Sequence, residues 1–256
     1  MIKIKKLYRD THLMDDVVTH YTYENSQWDS TIEQVKNNVV NNQISNTAVV
    51  LGNGPSRLQL NPNLFNLLMN HRGGLLAAGR VQTYGCNAII RDFTPDFLVA
   101  TGSEIVNEIA GDDWHDQNQY YQQTIVYSTA DAVLEFPGKF YLIPQNPGWN
   151  AGSVAAYLAC FDAHKKIYLM GFDCYNAPEA TIHENIYANT PGYPRDGEPV
   201  TDAYFTMSLL HVMQTYNDVE FIRVMPTESW YCPDAWQYQT NFRQINFRQF
   251  TLEVDL

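Results

Sequence analysis

What this chain lacks narrows it quickly. Its 256 residues include four cysteines, and Cys86, Cys160, Cys174 and Cys232 form no CxxC pair. That spacing argues against a zinc site and fits reduced thiols better than a disulfide framework. No run approaches the roughly 20 apolar residues that a membrane helix requires. The opening lysines of "IKIKK" are followed by no apolar stretch of the kind a secretory signal uses. The expectation is a soluble, cytoplasmic protein without a membrane span. Positive charge is scarce too: 16 Lys and Arg stand against 28 Asp and Glu, a formal charge of −12. Nucleic acid is therefore not an expected partner, because phosphate contacts need clustered Lys and Arg. A small anionic ligand is still accessible, since a few local N–H groups can hold one.

Beyond these absences, 45% hydrophobic and 17% charged residues suit a globular domain. Residues 1–45 are polar and weakly periodic, and read as a peripheral segment with a helix around Ser30 to Asn41. From Thr47 the texture changes. "TAVVLG" is a β-branched run ending in glycine, as in a central strand of a parallel sheet. "VQTYGCN", "DFLVATG", "TIVYS", "KFYLI", "KIYLMG" and "VEFIRVM" repeat the pattern. Helical spacing lies between them in "NLFNLLMNHR", from Glu104 to Ala110, from Gly152 to Ala163 and from Thr201 to Tyr216. "SVAAYLACFDA" is small and apolar nearly all round, which suits a helix pressed against a sheet. Alternating strands and helices predict an α/β fold: one Rossmann-like domain over residues 46–225, with a mostly parallel sheet and helices on both faces. Residues 176–200 lack apolar period and hold several prolines and glycines, so they form a long loop and a candidate lid. The aromatic tail, 226–256, packs either on the domain or on a second subunit, which leaves a homo-oligomer open.

The first strand ends in "GNGPS", residues 52–56. Ligands of doubly wound sheets sit beyond the carboxyl ends of strands, where loops enter helix N-termini. Glycines let a backbone approach a ligand closely, and helix N–H groups receive phosphates. A tight strand-to-helix turn would use the same residues. There is no GK[ST], and Arg57 replaces the third glycine of GxGxxG, so neither a Walker loop nor a nicotinamide site is indicated. Gly52, Asn53, Gly54, Pro55 and Ser56 are candidate nucleotide-binding residues. Asn87, Thr101, Asn150, Ala151, Gly152 and Ser153 join them, because each falls at a strand end or a helix start on the same edge. The side chains of Asn53, Asn87 and Asn150 supply both donors and acceptors, as reading a base or ribose requires.

These blocks resemble two related groups. "GNGPS", Cys86–Asn87 and the run from Ala151 to Tyr175 are similar to the bacterial CMP-sialic-acid-dependent sialyltransferases. The GPS turn, Pro95–Asp96 and the pattern Gly171, Asp173, His183 resemble 6-hydroxymethylpterin diphosphokinase-like proteins, which include motility-associated glycosyltransferases. The resemblance covers roughly residues 47–225 in short blocks and implies a GT-A-variant, Rossmann-like domain. It implies that Asn53 and Asn87 contact nucleotide, that the helix start at Gly152 approaches its phosphate, and that Tyr175 steadies the leaving phosphate. The sialyltransferase pattern also places a late histidine as general base, and "NTPGYPRDGEPVTDAYF" has none there. His183 instead suits the second pattern.

His183 is thus the candidate base for an acceptor hydroxyl, its unperturbed pKa lying near neutrality. Asp173 is the candidate residue to orient it, to bind ribose, or to hold Mg²⁺ together with Asp96. His115, in "DDWHD", reads as a solvated loop residue, and Tyr187 and Tyr193 as lid residues that either close over phosphate or pack the lid. Three readings follow. The first is a glycosyltransferase that moves a sugar, sialic-acid-like, from a nucleotide donor to a hydroxyl acceptor. The second is a diphosphokinase-like enzyme using ATP and Mg²⁺. The third is a nucleotide-binding module without chemistry. No cofactor beyond the nucleotide substrate and Mg²⁺ is suggested.

Overall fold

The computed structural model describes residues 2–10, 15–25, 27–35, 46–59, 81–111, 124–145, 147–174, 185–193 and 202–254. The first strands, β1 (Ile2–Asp10), β2 (Asp15–Glu24) and β3 (Gln27–Val35), pair antiparallel in the order β1-β2-β3 as a sheet of their own. The helix expected from Ser30 is corrected up to Val35: that stretch is strand, paired from Tyr21↔Ser30 to Asp16↔Val35. Pairing along the whole length of β2 outweighs the weak helical spacing, since strand preference follows the neighbouring strand more than the isolated segment. The rest of that expected helix, and the one expected in "NLFNLLMNHR", lie outside the described residues.

The β-branched runs from Thr47 onward all become strands of one eight-stranded parallel sheet. They are β4 (Thr47–Leu51), β5 (Gln82–Cys86), β6 (Phe97–Ala100), β7 (Ile125–Ser128), β8 (Tyr141–Leu142), β9 (Lys166–Met170) and β10 (Glu220–Met225). The eighth, β11 (Phe242–Asn246), comes from the aromatic tail and pairs with β10 from Phe221↔Phe242 to Met225↔Asn246. The order is β11-β10-β9-β4-β5-β6-β7-β8. From β4 the chain builds outward to β8, then returns to the other side of β4 for β9 to β11. The sheet's topological switch point therefore lies between β4 and β9, where ligands of open α/β sheets bind.

Both faces of the sheet are covered. Val49, Leu51, Tyr168, Met170, Ile222 and Val224 face one core. Helices α1 (Ser103–Ala110) and α2 (Ala130–Glu135), together with the last helix, close it. Ala48, Val50, Leu169 and Phe221 face the other core. That side is closed by α3 (Ala151–Phe161), α4 (Asp202–Thr215) and the short α5 (Asp234–Gln237), whose Trp236 is buried. Val49, Val50 and Leu51 are fully buried, each contributing about 1.5–3 kcal/mol of transfer free energy. In α3 every residue from Ser153 to Cys160 is buried, and its four alanines let the helix lie close against β4, β5 and β6. Ala163, in the left-handed region at φ +66°, ends it.

The last helix, α6 (Phe247–Glu253), starts at a capping box between Asn246 and Gln249 and buries Phe250 against Tyr168. A polar clamp holds its end: Arg243 donates to both carboxylate oxygens of Glu253 at 2.7 Å, and the Tyr168 hydroxyl donates to Glu253 Oε2 at 2.8 Å. These bonds from Arg243, opposed by burial and aided by Tyr168, hold the Glu253 carboxyl down at about 2. A carboxyl depressed in the folded state contributes stability above its unfolded pKa, and that contribution is lost as pH falls toward the folded value. The melting temperature of the native chain should thus drop more steeply between pH 4.5 and 2.5 than that of Glu253→Gln. Parallel curves for the two proteins would contradict the clamp.

Candidate nucleotide site at the switch point

At the carboxyl rim of the sheet, the turn after β4 and the turn after β9 lock together. Gly52 donates its N–H to Met170 O at 2.7 Å, and Gly54 donates to Gly171 O at 2.9 Å. Ser56 gives its N–H to Asp173 Oδ2 at 2.7 Å and its hydroxyl to Asp173 Oδ1. The glycines exist for this closeness. A Cβ on Gly52 would lie 2.5 Å from Gly171 O, and one on Gly171, at φ +70°, would lie 2.6 Å from Gly52 O. A Cβ on Gly54 would lie 2.5 Å from Asp173 Cγ.

This corrects the expected use of residues 52–56. Pro55 has no N–H, and the N–H groups of Gly52, Gly54 and Ser56 are taken by the β9 turn rather than offered to a ligand. The same bonds revise Asp173, whose carboxylate closes the short helical turn Pro55–Gln59. Pairing Asp173 with Asp96 around Mg²⁺ is corrected as well. Asp96 precedes β6 at the amino rim, opposite to Asp173, and is buried with Oδ2 accepting from Thr83 N–H at 2.9 Å and Thr83 Oγ1 at 2.8 Å. Among the described residues, no group of three or more His, Cys, Asp or Glu side chains could hold a metal.

The interlocked turns leave a cavity of about 240 Å³ beside them. Gly52, Asn53, Gly54 and Asn87 line it, together with Asn150, Ala151, Gly152 and Ser153. Asn150 caps α3, its Oδ1 accepting the Ser153 N–H at 2.9 Å. The next two N–H groups, of Ala151 and Gly152, have no acceptor among the described residues. They are the positive end of the helix dipole and its unmet donors. Asn53 gives Nδ2 to Cys86 O at 3.2 Å and to the Tyr193 hydroxyl at 3.4 Å, while its buried Oδ1 has no partner. Asn87, in the left-handed region at φ +47°, accepts the Thr101 N–H on Oδ1 at 2.9 Å. Thr101 thereby braces Asn87 from behind and is absent from the cavity wall.

Phe172, Phe205, Trp236 and Tyr193 supply the aromatic part of the lining. Burial pushes the Tyr193 phenol and the Cys86 thiol each up to about 12, Arg57 partly offsetting the latter. Both are neutral at pH 7, and Cys86 is no nucleophile. Tyr193 belongs to the expected lid, of which residues 185–193 are described. Arg91 anchors that piece, donating to Thr190 Oγ1 at 2.7 Å and Pro191 O at 3.0 Å while paired with Glu108. Tyr187 binds Asp92 and receives Arg57 Nη2 at 3.0 Å, so it packs the lid instead of facing the cavity. His183, Tyr175 and His115 lie outside the described residues.

Sequence reasoning missed Phe205 and Trp236, which reach the cavity from α4 and α5. The only sequence signal for Trp236 was the aromatic richness of the tail, and Phe205, inside the expected helix Thr201 to Tyr216, had none. The described helices include none long and apolar enough to cross a membrane.

No protein-family model and no curated protein matches the chain. Among solved structures, it is similar to the sialyltransferase CST-II in complex with CMP, at 14% identity and a TM-score of 0.44, over 69% of this chain and 80% of that one. A likeness this distant carries no inference about ligand or reaction.

The interlock makes a direct prediction. Gly52→Ala should cost about 1–3 kcal/mol in urea unfolding, the usual range for overpacking a rigid contact, because Gly171 O cannot retreat without moving the sheet. Gly148→Ala, where a Cβ meets nothing within 4 Å, serves as the control. Equal midpoints for the two variants would show that the turns are not in forced contact.

Proposed function

We propose that the chain is a nucleotide-dependent transferase, a glycosyltransferase whose donor is a CMP-sialic-acid-like nucleotide sugar. The observation that carries this reading is the cavity at the switch point: an aromatic-lined pocket facing two unmet helix N–H groups. In this reading the Ala151 and Gly152 N–H groups meet the donor phosphate, whose negative charge they are oriented to receive. Phe172, Phe205 and Trp236 offer apolar surface to the base, and the Asn53 and Asn87 side chains border the same cavity.

The chemistry asked of the site is modest. The acceptor hydroxyl attacks the sugar's anomeric carbon, the bond from that carbon to the phosphate oxygen breaks, and the nucleotide leaves with the bonding pair. His183, whose ordinary pKa lies near neutrality, takes the hydroxyl proton, and Tyr175 donates to the departing phosphate, the role implied by the sialyltransferase resemblance. Preformed donors at the α3 end then stabilise charge where it develops. Asp173 serves this reaction by fixing the two turns, since both its oxygens are already engaged by Ser56.

The diphosphokinase reading loses Asp96, which lies at the opposite rim and is bonded to Thr83. A thermal-shift panel of CMP, CDP, UDP, GDP and ATP, each with and without Mg²⁺, tests the proposal. A ligand at 100 times its Kd adds about 2.7 kcal/mol, or roughly 5–10 °C for a domain of this size. A cytidine nucleotide should give such a shift without Mg²⁺. A shift from ATP alone, and only with Mg²⁺, would favour phosphoryl transfer, and none at millimolar concentration would end the nucleotide reading.

A further inference from the structure

Arg223, on β10, is fully buried. Its side chain turns toward the α3–α5 face, where its guanidinium stands 5.4 Å from the centroid of the Trp236 ring. Nε donates to Phe172 O at 3.0 Å, and Nη1 donates to Tyr231 O at 2.7 Å and to Gln244 Oε1 at 3.0 Å. Nη2 has no acceptor among the described residues. Every acceptor it does reach is neutral.

Other arginines of the fold are treated differently. Arg57 has Asp92, Arg91 has Glu108, and Arg243 has Glu220 and Glu253. Arg223, more deeply buried than any of these, has no carboxylate within ion-pair distance among the described residues. The neighbouring Cys232 thiol does not neutralise it, since burial raises that thiol more than Arg223 lowers it. Taking a guanidinium out of water is costly unless an anion answers it. Two of its contacts, Phe172 and Trp236, are walls of the cavity. The cation therefore stands directly behind the pocket's aromatic side, in surroundings that screen it little.

We propose that Arg223 is the buried counter-charge for an anionic ligand in this cavity, making the pocket prefer a phosphorylated nucleoside to the neutral nucleoside. It is a positioning and specificity residue, since it does not line the cavity and meets the lining residues at the Phe172 carbonyl and the Trp236 ring. The proposal rests on the nucleotide reading of the same cavity and assigns its charge selectivity to a residue no sequence motif marks. The lost preference should be about tenfold for one charge acting across one side-chain layer at moderate effective dielectric.

Calorimetry of CMP and cytidine against the native chain, Arg223→Gln and Arg223→Lys tests it. Arg223→Gln should lose about tenfold in the CMP-to-cytidine affinity ratio while its cytidine affinity stays within twofold, and Arg223→Lys should keep the ratio. Weakening of CMP and cytidine by the same factor would mark a purely structural Arg223 and overturn the proposal, leaving the transferase reading intact. Inorganic pyrophosphate is measured on the native chain as a second probe, which holds even if Arg223→Gln does not fold. Saturable binding is expected, and none at millimolar concentration overturns the counter-charge. Pyrophosphate binding without any nucleotide binding would instead keep the counter-charge and remove the transferase reading.

Discussion

Two backbone turns touch at the carboxyl rim, and the rest of the site depends on that contact. Gly52 and Gly171 approach so closely that neither tolerates a Cβ, and Asp173 ties Ser56 from the other side. Main-chain hydrogen bonds from Gly52 and Gly54 continue the β4–β9 pairing past the strand ends. The contact sits where strand order reverses, so Asn53, Asn87 and the start of α3 border one cavity. A looser joint would let them drift apart, and preorganised donors lose most of their value when they must first be collected.

Much of this was legible in the sequence, though partly for the wrong reason. The strands from β4 to β10 announce themselves because a parallel sheet buried on both faces needs continuous β-branched runs. β11 does not, because "FRQIN" lies at an edge with one well-buried residue, Ile245. "GNGPS" marked the right corner of the molecule. Its glycines looked like room for a phosphate, whereas they make room for Gly171, a partner far along the chain that no local spacing reveals. Asp173 drew notice as a lone carboxylate at a strand end, and only the fold shows that Ser56 occupies both its oxygens. Asn150 drew notice as an amide at a helix start, and the structure shows its Oδ1 capping α3 through the Ser153 N–H.

In a chain of net charge −12, the one charged side chain among the described lining residues is Asp173, held by Ser56. The site's donors are main-chain N–H groups at the α3 start, amide side chains, and Arg223 behind Trp236 and Phe172. No lysine is among the described residues that line it. Such an arrangement attracts an anion only at short range, because salt screens charge beyond a Debye length of roughly 8–10 Å. Selectivity inside the cavity and slow, unsteered encounter outside it are the expected combination for a small-molecule donor.

The central claim is that the interlocked turns shape the pocket while the α3 start receives the ligand's charge. A crystal structure with a bound cytidine nucleotide addresses it most directly. The phosphate should lie within hydrogen-bonding distance of the Ala151 and Gly152 N–H groups, with Gly52 and Gly54 still bonded to Met170 and Gly171. A phosphate cradled instead by the N–H groups of residues 52–56, with the turns pulled apart, would contradict it.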